Sequence, residues 1–173
     1  MEDVGRLPPL GDRWGAPEAE LRDVALGLGR FVGGLHAITL EDAGLAQDFD
    51  NQPIQRTRHA VQYLGAGERL RSTGTEDWAA LGERARELGE RLQRPGRCLV
   101  MGDLWPPSVL LSGSEARLID WEFAHFGQPA QDLGHLAAHL WMHRHRAPEA
   151  RLAESVRSFW RSFLSGYRAA AGA

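Results

Sequence analysis

Four acids within residues 98–134 stand just after or between short apolar runs: Asp103, Asp120, Glu122 and Asp132. Asp103 follows the apolar run Leu99-Val100-Met101 and a glycine. Asp120 and Glu122 follow a second apolar run, 116–119, and Asp132 comes a little further on. Acids set between short, β-prone runs are carboxylates that a scaffold presents at its surface. Gly102 and Pro106-Pro107 punctuate the link after Asp103, which suits a side chain held rigidly at a strand end. Ser112-Gly113-Ser114 is a hairpin signal, so Val109-Leu110-Leu111 should pair antiparallel with 116–119. That pairing carries Asp120 towards Ser108 and Asp103. Carboxylates converging on a hydroxyl suit a hard cation such as Mg²⁺. They suit Zn²⁺ poorly, because no Cys or His lies among them at ligand spacing. Taken singly, each acid also fits a turn former or a cap. Asp132 in particular reads as the N-cap of the helix after it.

The joint pattern carries a resemblance. Met101-Gly102-Asp103-Leu104-Trp105-Pro106-Pro107-Ser108 resembles the catalytic loop of the aminoglycoside phosphotransferase and choline kinase superfamily, H-G-D-x-x-x-x-N. Leu118-Ile119-Asp120-Trp121-Glu122 resembles its metal-binding segment, and Pro129-Ala130-Gln131-Asp132-Leu133-Gly134 the P-x-x-D-L-A/G segment that follows. The resemblance implies a protein-kinase-like C-terminal lobe, with ATP and Mg²⁺ as cofactors and a small-molecule hydroxyl as acceptor. It makes Asp103 the base, Asp120 a metal ligand and Asp132 a brace for the catalytic loop. Two positions depart from the pattern. Met101 replaces the family His and cannot make its hydrogen bonds. Ser108 replaces the family Asn and offers only a hydroxyl. The methylthioribose kinase branch is similar at this point, with Ser and an Asp-x-Glu, which adds Glu122 and Ser108 to the implied metal ligands.

The elements that must position these groups are mostly helical. Leu21, Val24, Leu28, Phe31, Val32 and Leu35 recur at helical spacing and predict a helix over 17–37. Its glycines, 27, 29, 33 and 34, lie inside that period with no strand before them. They read as close helix packing, not as a phosphate loop. Asn51-Gln52-Pro53 can open a second helix, to about 64, ended by Gly65 and Gly67. Arg56, Arg58 and His59 give it a polar face expected to be solvated, with anion binding as the lesser reading. Thr75 caps a third helix whose stripe is Trp78, Leu81, Ala85, Leu88 and Leu92. Residues 133–142 read as a buried helix, and His135, His139 and His143 lie four apart on one face. That spacing lacks a closing carboxylate or Cys for a metal. A last helix spans about 148–170. His36 reads as a packed or capping histidine.

Composition bounds the rest. The chain has 173 residues, 43% hydrophobic, with net charge −3. It suits one globular domain and gives no electrostatic reason to expect nucleic acid or an anionic membrane. Lone Cys98 fits a small buried hydrophobe in a reducing compartment, so cytoplasm is the expected location. No apolar run is long enough to span a bilayer. All twenty basic residues are arginine and none is lysine. Kinases set a lysine on the α- and β-phosphates, and Arg does not replace it at equal geometry.

The expected architecture is therefore α+β, mostly helical, with a small β-hairpin region and no N-terminal lobe. Residues 1–16 are expected as a flexible arm or lobe connector and 17–173 as the single lobe. The expected function is ATP- and Mg²⁺-dependent phosphoryl transfer to a sugar, amino sugar or amino alcohol, incomplete without an N-terminal lobe. Its face left open is expected to be covered by a homodimer or by a partner supplying that lobe. The alternative is a non-catalytic lobe acting as a binding or regulatory module. A Mg²⁺-dependent hydrolase is a third reading.

Overall fold

A computed structural model describes residues 7–50, 52–72 and 76–172. Among the described residues there are seven α-helices and two small two-stranded sheets. Helix α1 (Glu18–Ile38) starts after Pro17, whose fixed φ suits a helix entry. A short α2 (Ala43–Asp48) follows, capped by Asp42, whose carboxylate accepts from the amides of Gly44 and Leu45. Then come α3 (Gln52–Arg58), α4 (Gly65–Ser72), α5 (Glu76–Leu92), α6 (Pro129–Arg146) and α7 (Ala150–Ala171). Between α5 and α6 lie β1 (Cys98–Val100), β2 (Val109–Ser112), β3 (Glu115–Leu118) and β4 (His125–Gly127). β2 pairs antiparallel with β3, Val109 opposite Leu118, as the hairpin signal requires. β1 pairs antiparallel with β4, Cys98 opposite Gly127. The fold is mostly helical with small antiparallel sheets, as the sequence implies.

The core sits between α1 and α7. Leu21, Val24, Leu28 and Val32 meet Val156, Phe159 and Phe163, and Leu136 and Leu140 of α6 close one side. The two long helices approach backbone to backbone. A Cβ at Gly29 would collide with the carbonyl oxygen of Phe163, and one at Gly166 with that of Leu26. One at Gly33 would stand 2.5 Å from the carbonyl oxygen of Tyr167. Gly27 and Gly34 face open space, so close packing explains only part of this glycine run.

Four expectations are corrected. The N-terminal stretch is no loose arm where it is described: Leu10 is fully buried and Trp14 nearly so, and Leu111 donates its amide to the carbonyl of Pro8. Two apolar side chains at four-residue spacing anchor it. Gly65 and Gly67 do not end a helix. The chain continues through a π-helical turn, His59–Leu64, into α4, because a Cβ at Gly67 would press on the Gly82 carbonyl. The stripe of α5 is not its buried face. Trp78, Leu81 and Leu88 are about half exposed, while Gly82, Gly89 and Leu92 are buried. Small residues win that face because α4 must come close. Finally, 125–127 form a strand that the sequence reading did not mark. The caps read at Asn51 and Thr75 lie outside the described residues.

The paired glycines allow a direct check. Gly29→Val forces apart two backbones and should cost about 3 kcal/mol in urea unfolding. Gly34→Ala, in open helix surface, should instead stabilise by about 0.5–1 kcal/mol.

Candidate active site

Asp103 stands in the loop after β1. Gly102 precedes it with φ +81°, where an L side chain is strained, and a Cβ there would run into the Phe123 carbonyl. One buried carboxylate fixes the loop. Asp132 accepts from Met101 N at 2.9 Å through Oδ2 and from Gly102 N at 2.8 Å through Oδ1. Its Oδ2 also lies 3.2 Å from His36 Nε2, and His36 Nδ1 is 3.1 Å from the Tyr167 hydroxyl. Asp132 is 1% exposed and His36 3%. Asp132 is not the N-cap of α6. That position is Gln128, and the carboxylate faces across to the loop. His36 is packed, as its helical setting suggested.

Asp103 is held from two sides through one oxygen. The Arg58 guanidinium donates through Nη2 to Asp103 Oδ1 and through Nη1 to the Gly102 carbonyl. Its carbon lies 4.6 Å from the centroid of the Phe123 ring. His135 Nδ1 reaches the same Oδ1 at 3.2 Å. Oδ2 has no partner among the described residues. The solvated face expected for Arg58 is therefore corrected. Its sequence signal was weak, since an arginine on a polar helix face is usually wet. The contact joins residues 45 positions apart.

The remaining acids sit on the turn beyond β3. Ile119 N donates to the Ser108 carbonyl at 3.1 Å, so Asp120 adjoins the catalytic-type loop. Asp120 takes a left-handed conformation, φ 63° and ψ 56°, and leads into a 3₁₀ turn, Trp121–Phe123. Glu122 lies within that turn, so the two acids follow one another on a turn and not along a strand. Both are exposed and make no hydrogen bond or ion pair among the described residues. No group of three or more His, Cys, Asp or Glu is gathered for a metal among the described residues. The Ser108 hydroxyl is fully buried and turned into the loop, donating to the Trp105 carbonyl at 2.8 Å.

His125 was missed, and it supplies bonds that Met101 cannot. Its Nδ1 donates to the Phe123 carbonyl at 2.8 Å, tying the acidic turn to β4. Met101 itself is buried in the core. A His two residues beyond a motif gives no periodic signal. Cys98 is a structural thiol. Burial, chiefly, and then the nearby Asp132 push its pKa up to about 12.

The histidines of α6 pack in a column. His135 and His139 rings are 4.9 Å apart, His139 lies against Trp105, and His143 against Trp14. Burial is the largest cause that lowers each pKa, and Asp103 partly offsets it at His135 and His139.

Two outcomes test this site. Asp132→Ala strands two loop amides and His36 in the interior and should cost about 3 kcal/mol in denaturant unfolding, far more than a surface acid. For the histidine column, depressed folded values mean that the unfolded chain binds protons first. Their contribution is present above about pH 6.5 and is lost as pH falls through the lowered values. The unfolding temperature should drop from pH 7.5 to 5.5, less steeply in His139→Gln.

Known proteins bear on this geometry. The chain is 28% identical over 148 residues to a 4-hydroxytryptamine kinase of Psilocybe cyanescens, covering 78% of this chain and 41% of that protein. It is 31% identical over 102 residues to a methylthioribose kinase of Bacillus pumilus (strain SAFR-032), covering 56% of this chain and 26% of that protein. The chain thus spans less than half the length of either relative. The fold matches a crystal structure of aminoglycoside-3'-phosphotransferase of type VIII with TM-score 0.52 and 24% identity, over 94% of this chain and 64% of that one. The model of the phosphotransferase enzyme family matches residues 2–172, nearly the whole chain, and the chain belongs to that family.

Proposed function

We propose that this chain is the catalytic lobe of a small-molecule kinase, transferring the γ-phosphoryl group of ATP to an acceptor hydroxyl. The carboxylate of Asp103 carries the reading. One oxygen is pinned by Arg58 and His135, Oδ2 has no partner among the described residues, and Gly102, Arg58 and His135 around it line a cavity of about 300 Å³. Oδ2 accepts the proton of the acceptor hydroxyl as its oxygen bonds to phosphorus and ADP leaves. Asp132 and Ser108 hold the loop so that this oxygen keeps its place. Asp120 and Glu122, exposed and unpaired on the adjoining turn, are the groups that would hold Mg²⁺. Mg²⁺ takes one or two carboxylates and completes its shell with phosphates and water, so two acids suffice. Bound there, it neutralises phosphate charge.

The cation that kinases set on the α- and β-phosphates has no lysine here to supply it. Efficient turnover therefore needs that group from outside this span. The second reading, a non-catalytic module, draws support from the same gap and from Arg58 lying across Asp103.

Phosphorus NMR at high protein concentration, with Mg²⁺, ATP and a panel of sugars and alcohols, separates the two. Acceptor-dependent ATP consumption should be slow and should fall at least about 100-fold in Asp103→Asn. Mg²⁺ binding should be lost in Asp120→Ala. A rate unchanged by Asp103→Asn, or no acceptor-dependent consumption at all, would favour the binding module.

A further inference from the structure

The cavity beside Asp103 has a chemical preference of its own, and the inference drawn from it rests on the kinase reading above. Gly102, Arg58 and His135 line its end nearest Asp103. Four carboxamides surround the rest: Gln55, Gln62, Gln93 and Gln131. Leu88, Leu92 and the ring of Tyr63 give it an apolar wall. Among the described lining residues there is no Asp or Glu. The one full charge in the lining is the guanidinium of Arg58, and the carboxylate that matches it, Asp103, is already engaged with it.

One polar atom is left over. His59 lines the cavity, and its Nε2 is buried with no hydrogen-bond partner. Such an atom is costly unless a ligand or water satisfies it. Its place is fixed from behind. The Cβ missing from Gly89 would meet the His59 and Tyr63 side chains, so α5 comes close enough to seat both rings. The π-helical turn from His59 to Leu64 brings His59, Gln62 and Tyr63 to the cavity together. Such turns are frequent at functional sites.

We propose that the cavity takes an acceptor free of ammonium groups: a neutral, hydroxyl-bearing molecule about one ring in size with an apolar flank. The carboxamides recognise its hydroxyls, donating or accepting as needed, and His59 Nε2 makes one oriented bond. An ammonium group would lose water and find no carboxylate among the lining residues in exchange. It would also face Arg58 across the cavity. The volume, about 300 Å³, is at the small end for ligand sites and suits a compound about one ring in size.

The test is ligand-observed NMR on the full chain without nucleotide. The probes are matched pairs differing in hydroxyl against ammonium: glucose and glucosamine, ribitol and 1-amino-1-deoxyribitol, 2-phenylethanol and 2-phenylethylamine. At least one neutral member should bind about tenfold or more tightly than its cationic partner. That binding should vanish in Ala138→Trp, which fills the cavity from exposed α6 surface. Gln62→Glu, also at the surface, should narrow or reverse the preference. Equal or tighter binding of the ammonium members would overturn the proposal. So would binding indifferent to both substitutions, or no binding by any neutral member. Phosphoryl transfer is not read in this experiment, so its failure is separable from failure of Asp103 as the base.

Discussion

The carboxylate of Asp132 is the point on which the lobe depends. It is almost wholly buried, and a buried carboxylate persists only when its oxygens are satisfied. Here both are. Two backbone amides of the Asp103 loop donate to it, and His36 of α1 approaches the same group. Tyr167 of α7 holds the other side of that imidazole. Three helices and the loop are thus joined through one side chain of α6. The loop needs this external brace because Gly102 takes a positive φ that no regular strand or helix would impose. Backbone hydrogen bonding to a buried acid supplies what sheet pairing cannot, since β1 ends at Val100.

The family pattern places a histidine where this chain has Met101, and the structure shows how the loss is tolerated. Met101 contributes its backbone amide to Asp132 and its side chain to the core. The polar tie to the acidic turn comes instead from His125, across the β1–β4 pair, through the Phe123 carbonyl. The same few residues serve Arg58, which bonds the Gly102 carbonyl and lies over the Phe123 ring. A cation over an aromatic face and a carboxylate is well placed electrostatically. It leaves the second oxygen of Asp103 alone because both contacts converge on Oδ1.

Local signals and long-range contacts divide what was legible. The β2–β3 hairpin, α1, α6 and α7 follow from turn chemistry and apolar period, and they stand within a few residues of their expected bounds. The order of the acids also placed Asp120 beside the Ser108 backbone. The misreadings share a cause. Glycine was taken as a breaker at Gly65 and Gly67, yet close approach to α5 keeps the chain helical there. The stripe Trp78, Leu81 and Leu88 was taken as a core face, yet glycines occupy the side that packs. Arg58 was taken as solvated because its partner lies 45 residues away. Helical period reports which side chains are apolar, and it does not report which face another backbone must touch. Asp120 is a different case. Its left-handed backbone ends the strand alternation, and a single-sequence pattern carries no mark of that for a non-glycine residue.

The packing of α3, α4 and α5 gives Arg58 a second consequence. These helices touch one another closely, with Gly67 against Gly82 and Gly89 against Tyr63. Residues of α3, the π-helical turn and α5 form one wall of the cavity, and Gly102, His125 and α6 form the other. Arg58 ends α3 and spans the two walls, bonding the loop on the far side. A residue that lines the cavity is therefore also the residue that pins Asp103. A molecule seated between the walls meets the guanidinium that engages this carboxylate. Shape and charge at this site are not independent variables: a wall displaced by poor packing against Tyr63 or Gly89 would carry Arg58 with it. The glycines that look like helix breakers thus act, through α5 and the π-helical turn, on the atom proposed to accept the proton.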